Sequence, residues 1–305
     1  MRKNLFIAIV LLNFVLVPSL YADVYSYNKD SMVIGLIKTY TTKPNESLIE
    51  IARKFDLGYN AIVEANPALD PFLPGPGVSV KIPSSWILPD LDSYDGIVIN
   101  ISEMRLYYFA KMKRESLVRT FPIGIGREGW DTPEGTFKII EKIVNPSWHV
   151  PKSIRLEKPE LPEIVPPGPD NPLGSHALRL SLGDVLLHGT DKPWAVGRKA
   201  SHGCIRLYPE DIPVLFQLAP RGLKVTIIRQ PVKVGVKNNK VFIEVHREEG
   251  VNRNYLNEAI QLLQKKNLLK MVDTEKLYHA IREKRGVPVE ISIGTHDATD
   301  LMVKK

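Results

Sequence analysis

The sequence predicts a mainly β domain flanked by two smaller α/β units. From Gly96 onward, short runs rich in β-branched and aromatic residues alternate with turns, a pattern typical of an antiparallel β domain. Residues 38–84 before it show the order strand, helix, helix, strand, and strand and helix patterns return after Pro231. A chain of 305 residues has room for these three parts.

The N-terminus has the pattern of an export signal. Arg2 and Lys3 precede an apolar run that Pro18 interrupts, and Ala22 supplies the small residue typical of a cleavage site. We therefore predict that residues 1–22 are a signal peptide. An uncleaved membrane anchor is the alternative, but the run is short for the roughly 30 Å of a bilayer core.

The net charge and the single cysteine restrict the binding partners and the thiol chemistry that can be expected. The formal net charge is +7, and removal of the two basic leader residues leaves +5 (7 − 2). A basic surface favours an anionic polymer, and for an exported chain anionic glycan or peptide carboxylates fit better than nucleic acid. The single cysteine excludes an internal disulfide, so its thiol is either buried or kept for its reactivity.

The unit at residues 38–84 is predicted in detail. A strand over Leu36–Tyr40 leads to a helix capped by Asn45 and ended by Gly58, and a second helix spans Asn60–Ala65 before a strand near residues 78–82. The first helix has an apolar face formed by Leu48, Ile51, Ala52 and Phe55. With Asn66-Pro67 and Lys81-Ile82-Pro83, the unit resembles a LysM domain, which implies binding to peptidoglycan glycan. A spacer that binds nothing is the alternative.

Trp86–Tyr94 is predicted to be a linker to a catalytic domain over residues 95–230. The regular elements predicted in this domain are strands at Ile97–Ile101, Arg105–Phe109, Leu117–Pro122, Gly135–Ile140, Asp184–Leu187 and Leu223–Ile228, and a helix at Glu210–Ala219. The segment Val150–Gly174 holds seven prolines and little helix or strand pattern. A stretch of this kind is either a functional lid or a plain excursion.

Residues 231–305 are predicted to form a small α/β subdomain whose role the sequence does not indicate. Its predicted elements are a strand-like run at Val232–His246, helices at Asn254–Leu269 and Asp273–Glu283, and a last strand at Val287–Ile293.

The residues with the clearest chemical pattern are His188-Gly189-Thr190 and Ser201-His202-Gly203-Cys204-Ile205-Arg206. A histidine near the only thiol can take its proton or hold the thiolate as an ion pair. Gly203 permits a tight turn whose N–H groups can bind an oxyanion, and Arg206 has the forked cation suited to a carboxylate. Spacing alone does not decide between His188 and His202 as the base.

Two other interpretations of Cys204 compete with that of a nucleophile. A structural thiol is common in protein cores, but two histidines, two glycines and an arginine make an apolar setting unfavourable here. A zinc site from His188, His202 and Cys204 is compatible with the ligand types, but the spacing matches no common zinc finger. Gly124-Ile125-Gly126 lacks the strand–helix context of a phosphate-binding loop, so no cofactor is predicted.

The two motifs resemble the signature of the L,D-transpeptidase family. The likeness spans about Gly96 to Arg229 and includes three further motifs: Asp131-Thr132-Pro133-Glu134-Gly135, Asn145-Pro146-Ser147-Trp148 and Asn171-Pro172-Leu173-Gly174. It implies an L,D-transpeptidase-type β-sandwich with a short helix. The leader, the LysM-like unit and the tail together resemble Gram-negative periplasmic members, which implies a periplasmic enzyme of peptidoglycan.

This resemblance also implies roles for residues. Cys204 attacks the carbonyl of the third residue of a tetrapeptide stem, D-alanine leaves, and an amine acceptor resolves the thioester, with His188 as base and acid. The implied turn and oxyanion supports are Ser201, His202, Gly203 and Gly189, and the implied substrate contacts are Arg206 and Thr190. Neither a metal nor an organic cofactor is implied.

The identity of the acceptor stays open at this point. It is another stem peptide, a lysine on an outer-membrane lipoprotein, or water, which would make the enzyme a carboxypeptidase or hydrolase. A peptidoglycan-binding protein with an idle catalytic domain is a further alternative. A lone catalytic thiol in an oxidising compartment also suggests a periplasmic thiol reductant as a partner.

Overall fold

The structure is a computed structural model that describes residues 24–111, 115–248 and 250–294. The predicted signal peptide, residues 1–22, lies outside these ranges. The strands of the described residues are β1 (Val24–Tyr27), β2 (Val33–Gly35), β3 (Lys38–Thr41), β4 (Ser79–Ile82), β5 (Ser85–Ile87), β6 (Gly96–Asn100), β7 (Arg105–Lys111), β8 (Ser116–Pro122), β9 (Ile125–Gly126), β10 (Gly135–Val144), β11 (Trp148–His149), β12 (Ile164–Val165), β13 (His176–Leu180), β14 (Leu186–His188), β15 (Lys199–Ser201), β16 (Ile205–Arg206), β17 (Lys224–Ile228), β18 (Val232–Lys237), β19 (Lys240–Val245) and β20 (Val289–Glu290).

The helices are shorter and fewer, as the mainly β prediction requires. They are α1 (Leu48–Lys54), α2 (Tyr59–Ala65), α3 (Lys152–Glu157), α4 (Asp211–Leu218), α5 (Tyr255–Lys265) and α6 (Thr274–Glu283), with 3₁₀ turns at Pro193–Ala195 and Leu269–Met271. Over the described ranges, no helix combines the length and apolar character needed to cross a bilayer.

One nine-stranded sheet organises the catalytic domain, in the order β1-β8-β7-β6-β17-β10-β13-β14-β16. Its pairs are antiparallel, as predicted, except for β6 with β17 and β14 with β16. The parallel β14–β16 pair sets His188 opposite Arg206 and Leu187 opposite Ile205. It therefore brings the two sequence motifs side by side.

Both faces of the sheet are buried at β6, which explains why this strand is a nearly continuous apolar run. On β6, Ile97 and Ile99 pack into a core that includes Ile212 of α4, because alternate residues of a strand face the same side. Val98 faces the other way, into a core shared with Ile51 of α1. Burial of each such side chain stabilises the fold by about 1.5–3 kcal/mol.

The unit at residues 38–84 has the predicted order, β3-α1-α2-β4, but the helix boundaries differ. Ser47, not Asn45, caps α1: its hydroxyl accepts from the Glu50 N–H, and the Glu50 carboxylate accepts from the Ser47 N–H. Asn45 lies in the preceding turn with a φ of 62°. Gly58 caps the start of α2 and does not end α1. The capping box formed by Ser47 and Glu50 therefore sets the start of α1 at Leu48.

The prediction of a linker at Trp86–Tyr94 is wrong. Strand β5 overlaps it and pairs with β2, and Trp86, Ile87 and Leu88 are all buried. The Ile87 N–H donates to the Glu244 carboxylate of the C-terminal subdomain. This apolar run is too short to be recognised as a strand in isolation, and it is buried because all three parts of the chain pack around it.

The proline-rich segment Val150–Gly174 is also more regular than predicted. It contains α3, and β12 pairs with β11 just before it. Asn171 is buried, and its side-chain amide donates to the carbonyls of Pro146, Val165 and Pro166. The Asn171 amide thus connects the two ends of a slightly longer stretch, residues 145–174. We call this stretch the lid.

The C-terminal subdomain has the predicted α/β character. A β18–β19 hairpin with Asn238 and Asn239 in the left-handed region packs against α5 and α6, whose caps are Asn254 and Asp273. The predicted helix at Asn254–Leu269 divides into α5 and a 3₁₀ turn, and the predicted last strand is reduced to β20.

Candidate active site

Cys204 lies on a tight turn between β15 and β16. The Ser201 hydroxyl donates to the Cys204 carbonyl at 2.5 Å and so closes the turn. Gly203 has a φ of +94°, in the region that side-chain-bearing residues rarely adopt. The glycine before the thiol is thus required by the backbone conformation.

Thr132 holds this turn from a distant part of the chain. Its buried hydroxyl donates to the Gly203 carbonyl at 3.1 Å and accepts from the Gly126 N–H at 3.0 Å. The sequence analysis included Thr132 in a family motif but gave it no role. Only the fold brings residue 132 to residue 203.

The turn that carries Cys204 offers unpaired backbone donors. Within the described part of the chain, the N–H groups of His202, Gly203 and Cys204 make no hydrogen bond. Free N–H groups on such a turn are of the kind that can donate hydrogen bonds to an incoming oxyanion.

His188 is buried at the end of β14, on the strand beside the one that follows Cys204. Its Nδ1 lies 2.6 Å from the Gly189 carbonyl oxygen, which can only accept, so Nδ1 carries the proton in the neutral ring and Nε2 is the basic nitrogen. Burial, helped by the Arg206 charge, lowers the pKa of His188 to about 3. The imidazole is therefore neutral at neutral pH.

The Cys204 thiol is partly enclosed. Its Sγ lies 3.7 Å from the Asp184 carbonyl oxygen, and it packs in a small apolar cluster with Trp148, Leu173 and Leu186. Burial raises the pKa of the thiol, although a backbone hydrogen bond from Leu186 and the Arg206 charge oppose this shift. These shifts favour a thiol and a neutral imidazole in the free protein over a thiolate–imidazolium pair.

His202 belongs to a different set of contacts. Its Nε2 accepts from Arg127 Nη2 at 3.0 Å and lies 3.6 Å from Glu157 Oε2, and its ring meets Trp130 edge-on. Burial and the Arg127 charge lower its pKa. Because Nε2 is already engaged with a donor, these contacts favour His188 as the base that spacing had left undecided.

The zinc interpretation gains no support. Among the described residues, the metal-ligating atoms of His188, His202 and Cys204 do not come together as a group. The contacts of His202 with Arg127 and Glu157 account for its position without a metal.

Arg206 and Thr190, the expected substrate contacts, differ in their surroundings. Arg206 makes no ion pair with a described residue, and its Nε is buried without a partner, so its guanidinium is free to bind an anion. Thr190 is buried, and its hydroxyl accepts from the Lys192 N–H at 2.9 Å, which shapes the turn after His188. Its contact with substrate stays a prediction.

Gly189 lies where the lid meets the strand that carries His188. A Cβ on Gly189 would meet Ile212 at 3.0 Å and the Gly174 Cα at 3.3 Å, and a Cβ on Gly174 would meet the Thr190 nitrogen at 2.8 Å. Two glycines therefore permit the lid backbone to lie directly on the residues after His188.

Comparisons with known proteins agree with this geometry. Residues 94–227 match YkuD, the L,D-transpeptidase catalytic domain. The probable L,D-transpeptidase YcfS of Escherichia coli K12 is 38% identical over 86% of this chain and 85% of its own length. This chain belongs to the L,D-transpeptidase family. The resemblance inferred from its motifs is confirmed.

Other relatives of this L,D-transpeptidase cover most of its length as well. YbiS of E. coli K12 is 37% identical over 79% of this chain and 82% of its own, and ErfK/SrfK of Salmonella typhimurium is 34% identical over 92% and 96%. Both are named probable L,D-transpeptidases.

Solved L,D-transpeptidases are more distant. The NMR structure of the Enterococcus faecium catalytic domain is 19% identical, covers 44% of this chain and 97% of its own, and has a TM-score of 0.34. A Mycobacterium tuberculosis L,D-transpeptidase is 18% identical, covers 44% and 57%, and has a TM-score of 0.32. At these TM-scores the likeness adds nothing to the assignment, which rests on the sequence matches.

Proposed function

We propose that this L,D-transpeptidase acts on the stem peptides of peptidoglycan, with Cys204 as nucleophile and His188 as general base. The observation that supports this most strongly is the parallel β14–β16 pair. It sets His188, with Nε2 as its basic nitrogen, on the strand beside the one that follows Cys204.

The first half-reaction forms a thioester. The Cys204 sulfur attacks the carbonyl of the third stem residue while its proton passes to Nε2 of His188. The resulting oxyanion accepts hydrogen bonds from the free N–H groups of residues 202–204, which we call the nucleophile turn. Each such hydrogen bond is worth roughly 3–4 kcal/mol in comparable sites. Collapse breaks the peptide bond, and His188 returns the proton to the departing D-alanine amine.

The second half-reaction transfers the acyl group. An amine acceptor attacks the thioester, gives its proton to His188, and Cys204 leaves as thiolate and takes that proton. Arg206 is the group proposed to hold a carboxylate of the stem, because its guanidinium has no partner within the described residues. The lid that packs on Cys204 would keep water from the thioester.

The acceptor is proposed to be an amine, either on a second stem peptide or on a lysine of an outer-membrane lipoprotein. Water at the same site would give a carboxypeptidase or hydrolase. The periplasm is the proposed location, in line with the predicted signal peptide, and a thiol reductant is the proposed partner that keeps Cys204 active.

The nucleophile is tested by whole-protein mass spectrometry after incubation with a carbapenem. We expect an acyl adduct on the wild type, none on Cys204→Ala, and much slower formation on His188→Ala. His202→Ala is the matched control, because its ring engages Arg127, and it should retain most of the rate. No adduct on folded, reduced wild type would contradict the proposal and favour the binding-only alternative.

The acceptor is tested by product analysis with a purified tetrapeptide stem. With an amine acceptor present, we expect loss of D-alanine together with a new amide. Release of D-alanine to give only the tripeptide acid, even with excess amine, would show that water is the acceptor. The same experiment on Cys204→Ala controls for uncatalysed hydrolysis.

The βααβ unit is proposed to bind peptidoglycan glycan. Its removal would expose the core that it shares with the large sheet, so a truncation is not a usable test. Co-sedimentation of the Cys204→Ala chain with purified sacculi, and its loss on adding soluble glycan fragments without peptide, would support glycan binding. Sedimentation that glycan fragments leave unchanged would argue for a spacer.

A further inference from the structure

A cavity of about 520 Å³ lies where the βααβ unit, the catalytic domain and the C-terminal subdomain meet. We call it the junction cavity. Its wall includes Tyr59 of α2, Met104, Arg198, Lys199, Arg247 and Lys284. Neither Cys204 nor His188 contributes to the wall, so the cavity is distinct from the candidate active site.

Three cations of the junction cavity have no anionic partner. Arg198, Lys199 and Arg247 make no ion pair with any described residue, although Glu283, also in the wall, pairs with Arg285 at 3.1 Å. The Arg198 guanidinium lies 3.8 Å over the Tyr59 ring, and its Nε is buried without a hydrogen-bond partner. Glu64, the other carboxylate of the wall, pairs with His246 at 3.2 Å, so a bound anion would reduce the repulsion among the three cations.

The cavity wall is firmly built. The N–H groups of Tyr59 and Asn60 donate to the carbonyls of Val196 and Gly197, each at 3.2 Å. A Cβ on Gly197 would lie 2.1 Å from the Tyr59 nitrogen, so the two backbones touch. The unpaired cations are therefore presented by a fixed scaffold, which lowers the entropic cost of binding.

We propose that the junction cavity binds a short carboxylate-bearing peptide at a site separate from Cys204. Arg198, Lys199 and Arg247 would hold its carboxylates, and the apolar wall formed by Val63, Pro67 and Met104 would contact its side chains. The volume lies within the range of roughly 300–1,000 Å³ typical of small-molecule sites, far more than one inorganic anion fills.

The position of the cavity connects it to the nucleophile. Arg198 directly precedes β15 and Lys199 is its first residue, and the hydroxyl of its last residue, Ser201, donates to the Cys204 carbonyl. A peptide bound by Lys199 would therefore contact the same short strand that supports the nucleophile turn.

The site is tested by NMR of [¹³C-methyl]methionine-labelled Cys204→Ala full-length mature chain, because Met104 reports occupancy of the cavity directly. A Met104→Leu variant assigns the signal. The probes are a synthetic tetrapeptide stem, the same peptide with its carboxylates amidated, and citrate. We expect the free-acid peptide to shift the Met104 methyl signal, the amidated peptide to leave it unchanged, and citrate to bind at least tenfold more weakly.

The cations are tested by a double variant, Lys199→Gln/Arg247→Gln, on the same background. Both side chains are exposed, so folding should be unaffected, and we expect the dissociation constant for the peptide to rise at least tenfold. Lys270→Gln, which removes an exposed, unpaired cation elsewhere, should leave it unchanged.

The proposal would be overturned if the free-acid peptide left the Met104 methyl signal unshifted. It would also be overturned if the double variant and Lys270→Gln had the same dissociation constant for the peptide. Citrate binding as tightly as the peptide would also overturn it, in favour of a small free carboxylate. Because the tested chain lacks its nucleophile, none of these outcomes bears on the proposed acyl transfer.

Discussion

At the residue scale, the chemistry of the site depends on burial acting on two groups in opposite directions. Burial raises the pKa of Cys204 and lowers that of His188, because a poorly solvated site disfavours both charged forms. We therefore expect a neutral pair that keeps the thiol unreactive until a substrate carbonyl is in place. It also limits stray oxidation, which attacks thiolates.

The first prediction concerns pH. Alkylation of Cys204 by iodoacetamide should be slow at neutral pH and rise about tenfold per pH unit up to the raised pKa of the thiol. Acylation by a carbapenem should stay nearly constant down to about pH 5, because a base with a pKa of about 3 remains unprotonated there. Fast alkylation near pH 6 would instead indicate a preformed thiolate–imidazolium pair.

The second prediction tests the support of the nucleophile turn. Thr132→Val keeps the shape but leaves the Gly203 carbonyl and the Gly126 N–H without their partner, so we expect a loss of stability of about 1–3 kcal/mol and slower acylation. Thr132→Ser retains the hydroxyl and is the control. Denaturant unfolding and the carbapenem adduct rate measure the two effects, and equal acylation by both variants would contradict the assigned role.

At the scale of elements, the lid is fastened to the nucleophile turn by charge. Glu157 at the end of α3 contacts Arg127 at 2.7 Å and His202 at 3.6 Å, and this pairing with Arg127 lowers the pKa of the Glu157 carboxyl. All three side chains are partly exposed, so we expect the contact to contribute little to stability.

The third prediction weakens this fastening. Glu157→Gln removes the charge, so we expect faster amide hydrogen exchange in residues 152–157 and a larger share of the thioester lost to water. Glu160→Gln, which changes an exposed carboxylate of the same segment with no ion pair among the described residues, is the control. Exchange rates that are equal in the two variants would show that Glu157 does not fasten the lid.

At the scale of the whole molecule, a buried group of charges joins the three parts of the chain. Lys233 Nζ lies 2.7 Å from Glu103 and 2.9 Å from Glu244, and all three side chains are almost fully buried. His246 bonds Glu244 at 2.7 Å and reaches Glu64 of α2 at 3.2 Å. Lys233 is thus buried, although lysine side chains usually lie at the protein surface.

The fourth prediction removes the central cation. Lys233→Met removes the cation that both buried carboxylates, Glu103 and Glu244, contact, so we expect a loss of about 3–5 kcal/mol in the free energy of unfolding. The matched control is Lys240→Met, whose exposed pair with Glu290 should contribute only about 0–1 kcal/mol. Similar denaturant midpoints for the two variants would contradict a structural role for the buried group.

The fifth prediction follows the same group with pH. The neighbouring carboxylates Glu244 and Glu64 outweigh burial and raise the pKa of His246 to about 10, above its value of about 6.5 in the unfolded chain. The stabilisation by His246 is therefore complete below pH 6.5 and is lost as pH rises toward 10. Unfolding at pH 6.5 and 9.5 should show a smaller alkaline loss for His246→Gln than for wild type.

The sequence by itself determined the elements and chemistry that depend on local pattern. Helices with an apolar face and six of the nine strands of the large sheet were predicted within a few residues, because periodicity is a local signal, whereas β1, β13 and β16 were not predicted. The motifs around His188 and Cys204 are local signals as well. The L,D-transpeptidase resemblance, which the relatives confirm, predicted the family and therefore a more specific function than composition or spacing did.

Only the tertiary structure decided what depends on residues far apart in the chain. Burial of Trp86–Leu88, the contacts of Thr132, the different surroundings of His188 and His202, and the partners of Lys233 all arise from contacts across 70 or more residues or from desolvation by several elements. A short stretch of sequence reveals neither the long-range contacts nor the desolvation, because burial and electrostatic environment are properties of packed elements and not of neighbours in the sequence.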